Sequence, residues 1–147
     1  MSIEQNKAIV RRDNDAVWTQ GNAAVINELY ASNVVDHDPM PGLQATGREL
    51  QRQTLEILHS AFPDFSSRID LLVVEGDTVA AQMTVSGTHR GQFMNMPPTG
   101  KMATWKLMTM YRLKNGQIAE LWHVVDALGL LAQLGLLPTD VPVGTHA

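Results

Sequence analysis

The spacing of hydrophobic residues changes near the middle of this chain. In the first half, apolar residues recur every three to four positions, as on one face of a helix. Ser2 with Gln5 and Thr46 with Glu49 match the capping-box pattern, which predicts where two helices begin. In the second half, apolar and polar residues alternate between glycine-containing turns, and this pattern predicts antiparallel strands joined by hairpins.

The predicted elements place helices first and strands second. This order is typical of the α+β class, in which a curved antiparallel sheet with helices on one face can close into a cone with an internal pocket. The expected elements are a helix from residue 2 to about 19, a short helix over 22–30, a short strand over 34–38, a helix over 46–62, strands over 69–74, 79–87, 102–113 and 117–126, and a last helix over 127–134.

Length and composition limit the possible classes of protein. The 147 residues, 44% hydrophobic and 18% charged, fit one globular domain, expected over 1–137. Two prolines predict a loosely ordered tail over 138–147. A net charge of -4 without a basic stripe argues against nucleic acid or an anionic membrane as a partner. Because no signal peptide or membrane-length apolar run is visible, the cytoplasm is the expected location.

The hairpin around Asn115-Gly116 predicts which side chains share a face. A two-residue turn pairs Lys114 with Gln117, and strict alternation from there defines one largely aromatic face. A one-residue slip would reverse this assignment. The opposite face, which includes Lys106 and His123, is expected to form a subunit interface or a half-exposed surface. The predicted aromatic face holds Trp105, Leu107, Thr109, Tyr111, Glu120, Trp122, Val124 and Asp126.

Asp126 is the first candidate catalytic residue. It is a lone carboxylate that follows the apolar strand around Trp122, and its predicted face is apolar. A carboxylate in such surroundings loses solvation, which raises its pKa towards the range useful for acid/base chemistry. Asp126 also directly precedes the last helix, so a role as the N-cap of that helix is the structural alternative.

Two histidines are further catalytic candidates. His37 ends a short strand, where it could polarise a carbonyl or shuttle a proton, or simply bond to Asp36 or Asp38. His89 lies between glycines that allow a strand to bend, so it either faces the pocket or stabilises the bend.

Aromatic and apolar side chains are expected to line a pocket. Tyr111 either donates a hydrogen bond to an enolate oxygen or pairs with Glu120, and the tryptophans either fill the core or contact a flat ligand. The expected lining residues are Trp105, Trp122, Tyr111, Thr109, Leu107, Val124, Phe62 and Phe93.

Several kinds of chemistry lack the residues they need. The absence of cysteine excludes disulfides, thiolate catalysis and zinc–thiolate sites. Neither a His-x-His nor a His-Glu-x-x-His pattern is present, and no glycine-rich phosphate loop or Gly-x-Ser-x-Gly elbow occurs. We therefore expect no metal and no cofactor.

A set of short motifs resembles the SnoaL-like polyketide cyclases of the NTF2-like superfamily. Their order and spacing over roughly residues 5 to 136 carry the resemblance. The resemblance implies an NTF2-like conical barrel, a deep apolar pocket and self-association as a homodimer or higher homo-oligomer. The motifs lie at 35–39, 61–65, 75–80, 87–91, 98–101, 116–122, 126 and 133–135.

The resemblance also implies cofactor-free acid/base chemistry on a small apolar ligand. In the family, an aspartate on the final strand assists an intramolecular aldol ring closure, and Asp126 matches that position. An isomerase or hydratase, or a module that binds a small molecule without chemistry, are the alternatives, because one fold carries many functions.

Overall fold

Ser2 begins the first helix, as the capping pattern predicts. Its hydroxyl accepts a hydrogen bond from the N–H of Gln5, and the Gln5 side chain accepts one from the N–H of Ser2. The predicted cap at Thr46 differs, because its side chain makes no capping bond. Asn22 likewise makes no side-chain cap, so this short helix begins without that stabilisation.

The computed structural model describes residues 2–137, and it confirms the α+β order of elements. The helical elements are α1 (Ile3–Arg12), a π-helix (Asp13–Thr19), a 3-10 turn (Ala23–Val25), α2 (Ile26–Leu29), α3 (Gly47–Ala61) and α4 (Ala127–Gln133). The strands are β1 (Tyr30–Asp36), β2 (Ser66–Glu75), β3 (Thr78–Thr88), β4 (Met102–Lys114) and β5 (Gln117–Val125). The tail predicted over 138–147 lies outside the described residues.

Across residues 2–137, the five strands form one curved sheet in the order β1-β5-β4-β3-β2. The β2–β3, β3–β4 and β4–β5 pairs are antiparallel, whereas β1 lies parallel to β5. Asn115 and Gly116 both have positive φ angles, 52° and 77°, which a two-residue hairpin turn requires. The parallel pairing matters because it brings the end of β1 beside the second half of β5.

The helices cover one face of the sheet and bury it. Two clusters of buried apolar side chains fill this side, one around Tyr30 and Leu121 and the other around Phe62 and Trp105. Along β3, every second residue is buried, which is the alternation expected of a strand with one covered face. We call the helix-covered face the inner face and the opposite one the outer face.

The β4–β5 hairpin contains a bulge that the sequence does not reveal. Lys114 pairs with Gln117, as predicted, but the register then shifts, and Arg112 pairs with Glu120. Ala119 is therefore an extra residue on β5, which is the definition of a β-bulge.

Beyond the bulge, β5 presents the opposite set of side chains from the predicted one. Thr109 pairs with His123 instead of Trp122, and Leu107 pairs with Val125. A bulge of one residue has this effect because the side-chain period of a strand is two. The predicted inner positions of Glu120, Trp122, Val124 and Asp126 are thus wrong, and so is the predicted outer position of His123.

Candidate functional site

His123 stands at the centre of a polar cluster on the inner face. Its Nε2 lies 3.1 Å from Asp36 Oδ2, and its Nδ1 lies 3.0 Å from Thr109 Oγ1. Thr109 is buried opposite it on β4, and Asp36 comes from the parallel strand β1. An imidazole that is bonded to a carboxylate on one nitrogen is a common arrangement for acid/base chemistry.

Asp36 is held in its ionised form by its neighbours. Burial acts to raise its pKa, but hydrogen bonds from His123 and Gln51 and from the N–H of Asp38 outweigh burial, so the pKa of Asp36 is lowered. The Gln51 amide donates to Oδ2 over 3.1 Å, and the Asp38 N–H donates to Oδ1 over 3.0 Å. An ionised carboxylate only accepts hydrogen bonds, so His123 Nε2 carries the proton that lies between them.

The Asp38 side chain fixes the backbone of β5 at His123. Its Oδ2 accepts a hydrogen bond from the N–H of His123 over 2.9 Å. Together with the contact between His123 and Asp36, this bond holds the end of β1 against β5. The position of the imidazole is therefore set by both its backbone and its side chain.

The inner face becomes progressively more accessible towards the end of β5. Leu121 is 1% exposed, the His123 side chain is 24% exposed, and Val125 is 47% exposed. All three side chains point to the helix-covered side, so this gradient marks the place where the cover ends. The His123 side chain is therefore partly exposed at this edge of the inner face.

A second group of polar side chains lies deeper, where α1 passes into the π-helix. Asp13 and Trp18 are five residues apart, which places them on one side of a π-helix, and Trp18 Nε1 donates to Asp13 Oδ2 over 3.1 Å. The same Nε1 lies 3.3 Å from the Tyr30 hydroxyl. Burial of the fully enclosed Asp13 raises its pKa to about 7.

Asp126 lies outside the inner cluster. Its side chain accepts a hydrogen bond from the N–H of Gly129 over 2.9 Å and so forms the N-cap of α4. The residue is exposed. The structural alternative considered for Asp126 is therefore present in the fold, while its catalytic role stays a prediction.

His37 lies on the outer face. Its ring stacks on Trp122 with the ring centres 4.7 Å apart, and its Nε2 lies 2.7 Å from Glu120 Oε2. Glu120 also accepts a hydrogen bond from Arg112 Nε over 2.5 Å. The hydrogen bond with His37 lowers the pKa of Glu120 most, and the hydrogen bond from Arg112 lowers it further. The structure thus separates His37 and Trp122 from His123.

His89 is buried among aromatic rings. Its Nδ1 accepts a hydrogen bond from the N–H of Thr99 over 3.2 Å, so the ring proton is on Nε2. This Nε2 has no hydrogen-bond partner within residues 2–137. The ring packs against Phe62, with the ring centres 5.5 Å apart. A catalytic role for His89 stays a prediction.

The predicted lining residues divide into two sets. On the inner face, Leu107, Thr109 and Tyr111 form a row on β4 that ends at Trp105, and Phe62 packs against both Trp105 and Phe93. Their contact with a ligand stays a prediction. The other set, Trp122 and Val124, lies on the outer face and cannot line the inner opening.

A cleft of about 630 Å³ lies between α3 and two loops. Its apolar lining includes Met40, Leu43, Ile57 and Met94. The loop that carries Met40 begins at Asp38, whose carboxylate holds the backbone of His123. None of the residues of the polar cluster lines this cleft.

Sequence reasoning missed Asp13, Asp36, Gln51 and His123 as site residues. Asp13 had a usable signal, because it lies at helical spacing between Val10 and Val17 and so interrupts an apolar stripe with a carboxylate. His123 had none, because the bulge that turns it inward leaves no distinct pattern in the sequence.

Two further properties concern the described part of the chain. Between residues 2 and 137, no group of three or more His, Asp or Glu side chains is placed to hold a metal ion. None of the helices in this range has the length and apolar character needed to cross a membrane.

A curved sheet of this topology, with helices on its inner face, defines the NTF2-like class of α+β proteins. Within that class, the chain belongs to the SnoaL-like polyketide cyclase family, whose model matches residues 8–134. No curated protein matches the sequence.

Solved structures agree with this assignment. TsrD from Streptomyces laurentii has a TM-score of 0.84 and 27% identity, with 93% of this chain and 99% of that chain covered. IdmH from Streptomyces antibioticus, described as a candidate polyketide cyclase, has a TM-score of 0.79 and 29% identity, with 89% and 99% covered. AclR from Streptomyces galilaeus, described as a candidate hydroxylase, has a TM-score of 0.80 and 28% identity, with 93% and 100% covered.

Proposed function

We propose that this protein is a cofactor-independent acid/base enzyme that closes a ring in an apolar carbonyl compound by intramolecular aldol condensation. The observation that carries the proposal is the pair formed by His123 and Asp36 at the open end of the inner face. The family assignment supports the substrate class.

The proposed reaction uses one imidazole twice. His123 Nδ1 removes a proton from the carbon next to a carbonyl, the resulting enolate attacks a second carbonyl of the same molecule, and a carbon–carbon bond forms. The alkoxide then takes the proton back from Nδ1. The ionised Asp36 keeps the other proton on Nε2 and stabilises the imidazolium between the two steps.

The Thr109 hydroxyl is hydrogen-bonded to the reacting nitrogen, His123 Nδ1, when no ligand is bound. Its Oγ1 lies 3.0 Å from Nδ1, so the ligand must displace this hydroxyl or exchange its proton through it. A hydroxyl rotates easily and both donates and accepts, which makes either route chemically reasonable. Thr109 therefore holds the imidazole in place until a ligand arrives.

The experiment measures proton exchange, which requires no knowledge of the final product. A panel of polyketide-like 1,3-dicarbonyl compounds is incubated with the protein in deuterated buffer, and loss of the α-proton is followed by NMR. We compare the wild type with His123→Gln and Asp126→Asn. Both changes keep hydrogen-bonding capacity, and asparagine is a good N-cap for α4.

The two variants separate the possible sites. If the proposal holds, His123→Gln lowers the exchange rate by about 100-fold or more, whereas Asp126→Asn stays within a few fold of the wild type. Loss of exchange in Asp126→Asn alone would instead support the site that the sequence predicts. Ligand binding without any exchange in the wild type would support a binding module.

We further propose that the protein self-associates through the outer face. Exposed apolar side chains from β2, β4 and β5 all lie on this side of the sheet, and acidic and basic residues are interspersed among them. An exposed apolar surface of this kind is typical of a protein interface. Because the surface carries both acidic and basic residues, two copies of it can pair with opposite charges facing each other. The exposed apolar residues are Leu71, Val73, Met102, Met108, Met110 and Val124.

A further inference from the structure

A second cleft, of about 360 Å³, lies on the outer face beside the β4–β5 hairpin. It is formed by residues of β1, β4 and β5, on the side of the sheet opposite to His123. Two cationic side chains, Arg112 and Lys114, line it together with one carboxylate, Glu120. The proposed acid/base reaction uses none of these three side chains.

The irregular pairing of β1 with β5 creates this cleft. Between two successive residue pairs, β1 has four residues, 31–34, where β5 has only Ala119. The longer stretch must bow away from the shorter one, and the small side chain of Ala119 leaves the space between them open. Arg48 on α3 donates two hydrogen bonds to the Tyr30 carbonyl, over 2.9 and 2.7 Å, and so holds the start of the bow in place.

The Arg112 guanidinium is only partly used by the fold. Its Nε donates to Glu120 Oε1 over 2.5 Å, while its two terminal nitrogens make no hydrogen bond within residues 2–137. A guanidinium presents five N–H donors in a planar fork, so Arg112 can bind a second carboxylate while it keeps the first. Glu120 is already engaged by both Arg112 and His37. Arg112 is therefore the group in the cleft that can bind an anion by two parallel hydrogen bonds.

Lys114 supplies a second positive charge on the same face. It lies two residues from Arg112 along β4, and two residues along a strand span about 7 Å on one face. In the described part of the chain, Lys114 takes part in no salt bridge. Two cations and one carboxylate leave one excess positive charge in the lining. The cleft is thus matched in charge to a monoanion.

We propose that this cleft binds a small monocarboxylate. Arg112 and Lys114 hold the carboxylate group, and the short apolar body of the ligand lies against Val35 and Ala119, which also line the cleft. Val35 is 48% exposed, so a ligand there covers apolar surface that otherwise faces water. Because the cleft and His123 lie on opposite faces of the sheet, this proposal does not depend on the acid/base function.

The experiment is an NMR titration of the isotope-labelled protein with butyrate. Butyramide is the control ligand, because it has nearly the same shape but no charge. The backbone amide signals of Asn33, Asn115 and Ala119 report on the cleft, since all three residues line it. Signals on the inner face, such as that of His123, show whether either compound also binds elsewhere.

Three variants test the assignment of the charges. Lys114→Gln removes one cation from an exposed position, so the fold is expected to remain. Arg112→Lys keeps the charge but removes the planar fork. Lys106→Gln is the matched control, because Lys106 lies on the same strand and the same face but donates to Thr84 over 2.9 Å and does not line the cleft.

Butyrate is expected to shift the cleft signals and to saturate in the millimolar range, whereas butyramide leaves them in place. Lys114→Gln and Arg112→Lys should each weaken butyrate binding about fivefold or more, and Lys106→Gln should stay within about twofold of the wild type. Added salt should weaken binding to the wild type as well, because the cleft is open to water.

Equal shifts with butyrate and butyramide, or equal affinities in the wild type and Lys114→Gln, would overturn the proposal. So would an absence of shifts in the wild type. If Lys114→Gln then also weakens self-association, a carboxylate of a second copy occupies the cleft instead. Proton exchange that depends on His123 is measured separately, so the enzymatic proposal and this one can fail independently.

Discussion

Asp36 and His123 are 87 residues apart in the sequence, and their side chains meet at 3.1 Å. Two features of the fold create this contact. The parallel pairing of β1 with β5 places Asp36 opposite Leu121, and the bulge at Ala119 turns His123 to the inner face. The site therefore depends on a strand pairing and on an irregularity, and both are properties of the assembled sheet.

Replacing Asp36 by asparagine tests whether the carboxylate orients the imidazole. The asparagine amide can donate to Nε2, which favours the tautomer with its proton on Nδ1. Nδ1 cannot act as the base while it carries that proton. We expect Asp36→Asn to lower α-proton exchange at least tenfold, measured by NMR in deuterated buffer. Asp38→Asn is the control, because its amide oxygen still accepts from the N–H of His123. Full exchange in Asp36→Asn would show that the carboxylate has no such role.

Asp36 also predicts a change of stability with pH. Its pKa is lowered in the folded protein, so its stabilising contribution is present above the unfolded value near 3.8 and is lost as the pH falls through the folded value. Urea unfolding of the wild type and Asp36→Asn from about pH 6 to pH 2 should show the difference between them shrinking towards low pH. A difference that stays constant over this range would contradict the assignment.

Sequence reasoning predicted the fold well because the fold depends on repeated patterns. Many residues contribute to each alternating strand, and the Asn115-Gly116 turn specifies its hairpin through two positive φ angles. The site depends instead on single positions. One unpaired residue, Ala119, moves His123 inward and Trp122 outward, and no local pattern marks it.

The sequence also does not reveal that β1 pairs with β5. The short strand predicted over 34–38 gave no indication that it would pair in parallel with the last strand, because such pairing involves residues far apart in the chain. For that reason the sequence presents Asp36 only as a neighbour of His37. The π-helix was also missed, since its i, i+5 contact between Asp13 and Trp18 resembles an ordinary helix in sequence.

Asp13 predicts the opposite dependence of stability on pH from Asp36. Because burial raises its folded pKa to about 7, the folded state holds a proton that the unfolded state releases near 3.8. The wild type should therefore lose stability relative to Asp13→Asn as the pH rises from about 4 to about 7, and the difference should level off above that. Chemical unfolding at several pH values measures it. If the wild type instead lost stability relative to Asp13→Asn as the pH fell, the sign of this prediction would be wrong.

The contact between Gly129 and Asp126 predicts that substitutions at these two positions have non-additive effects on stability. Alanine usually stabilises a helix relative to glycine by about 1 kcal/mol. A Cβ on Gly129 would, however, lie 2.2 Å from Asp126 Oδ2. We expect Gly129→Ala to destabilise the wild type and to be neutral or stabilising when Asp126→Ala is also present. A double-mutant cycle by thermal unfolding measures this coupling, and additive effects would mean that the carboxylate does not occupy the cap position.

The outer face predicts a concentration-dependent assembly. Met108 is 56% exposed at the middle of the apolar surface, and a glutamate there would place an unpaired charge in each copy of the interface. We expect Met108→Glu to shift the protein to a monomer in sedimentation equilibrium while its circular dichroism spectrum stays that of the folded protein. Ile3→Glu is the matched control, because Ile3 is 51% exposed but lies on α1 and not on the outer face. If both variants sediment as the wild type does, the outer face is not the interface. If only Ile3→Glu dissociates, the helical side forms the interface instead.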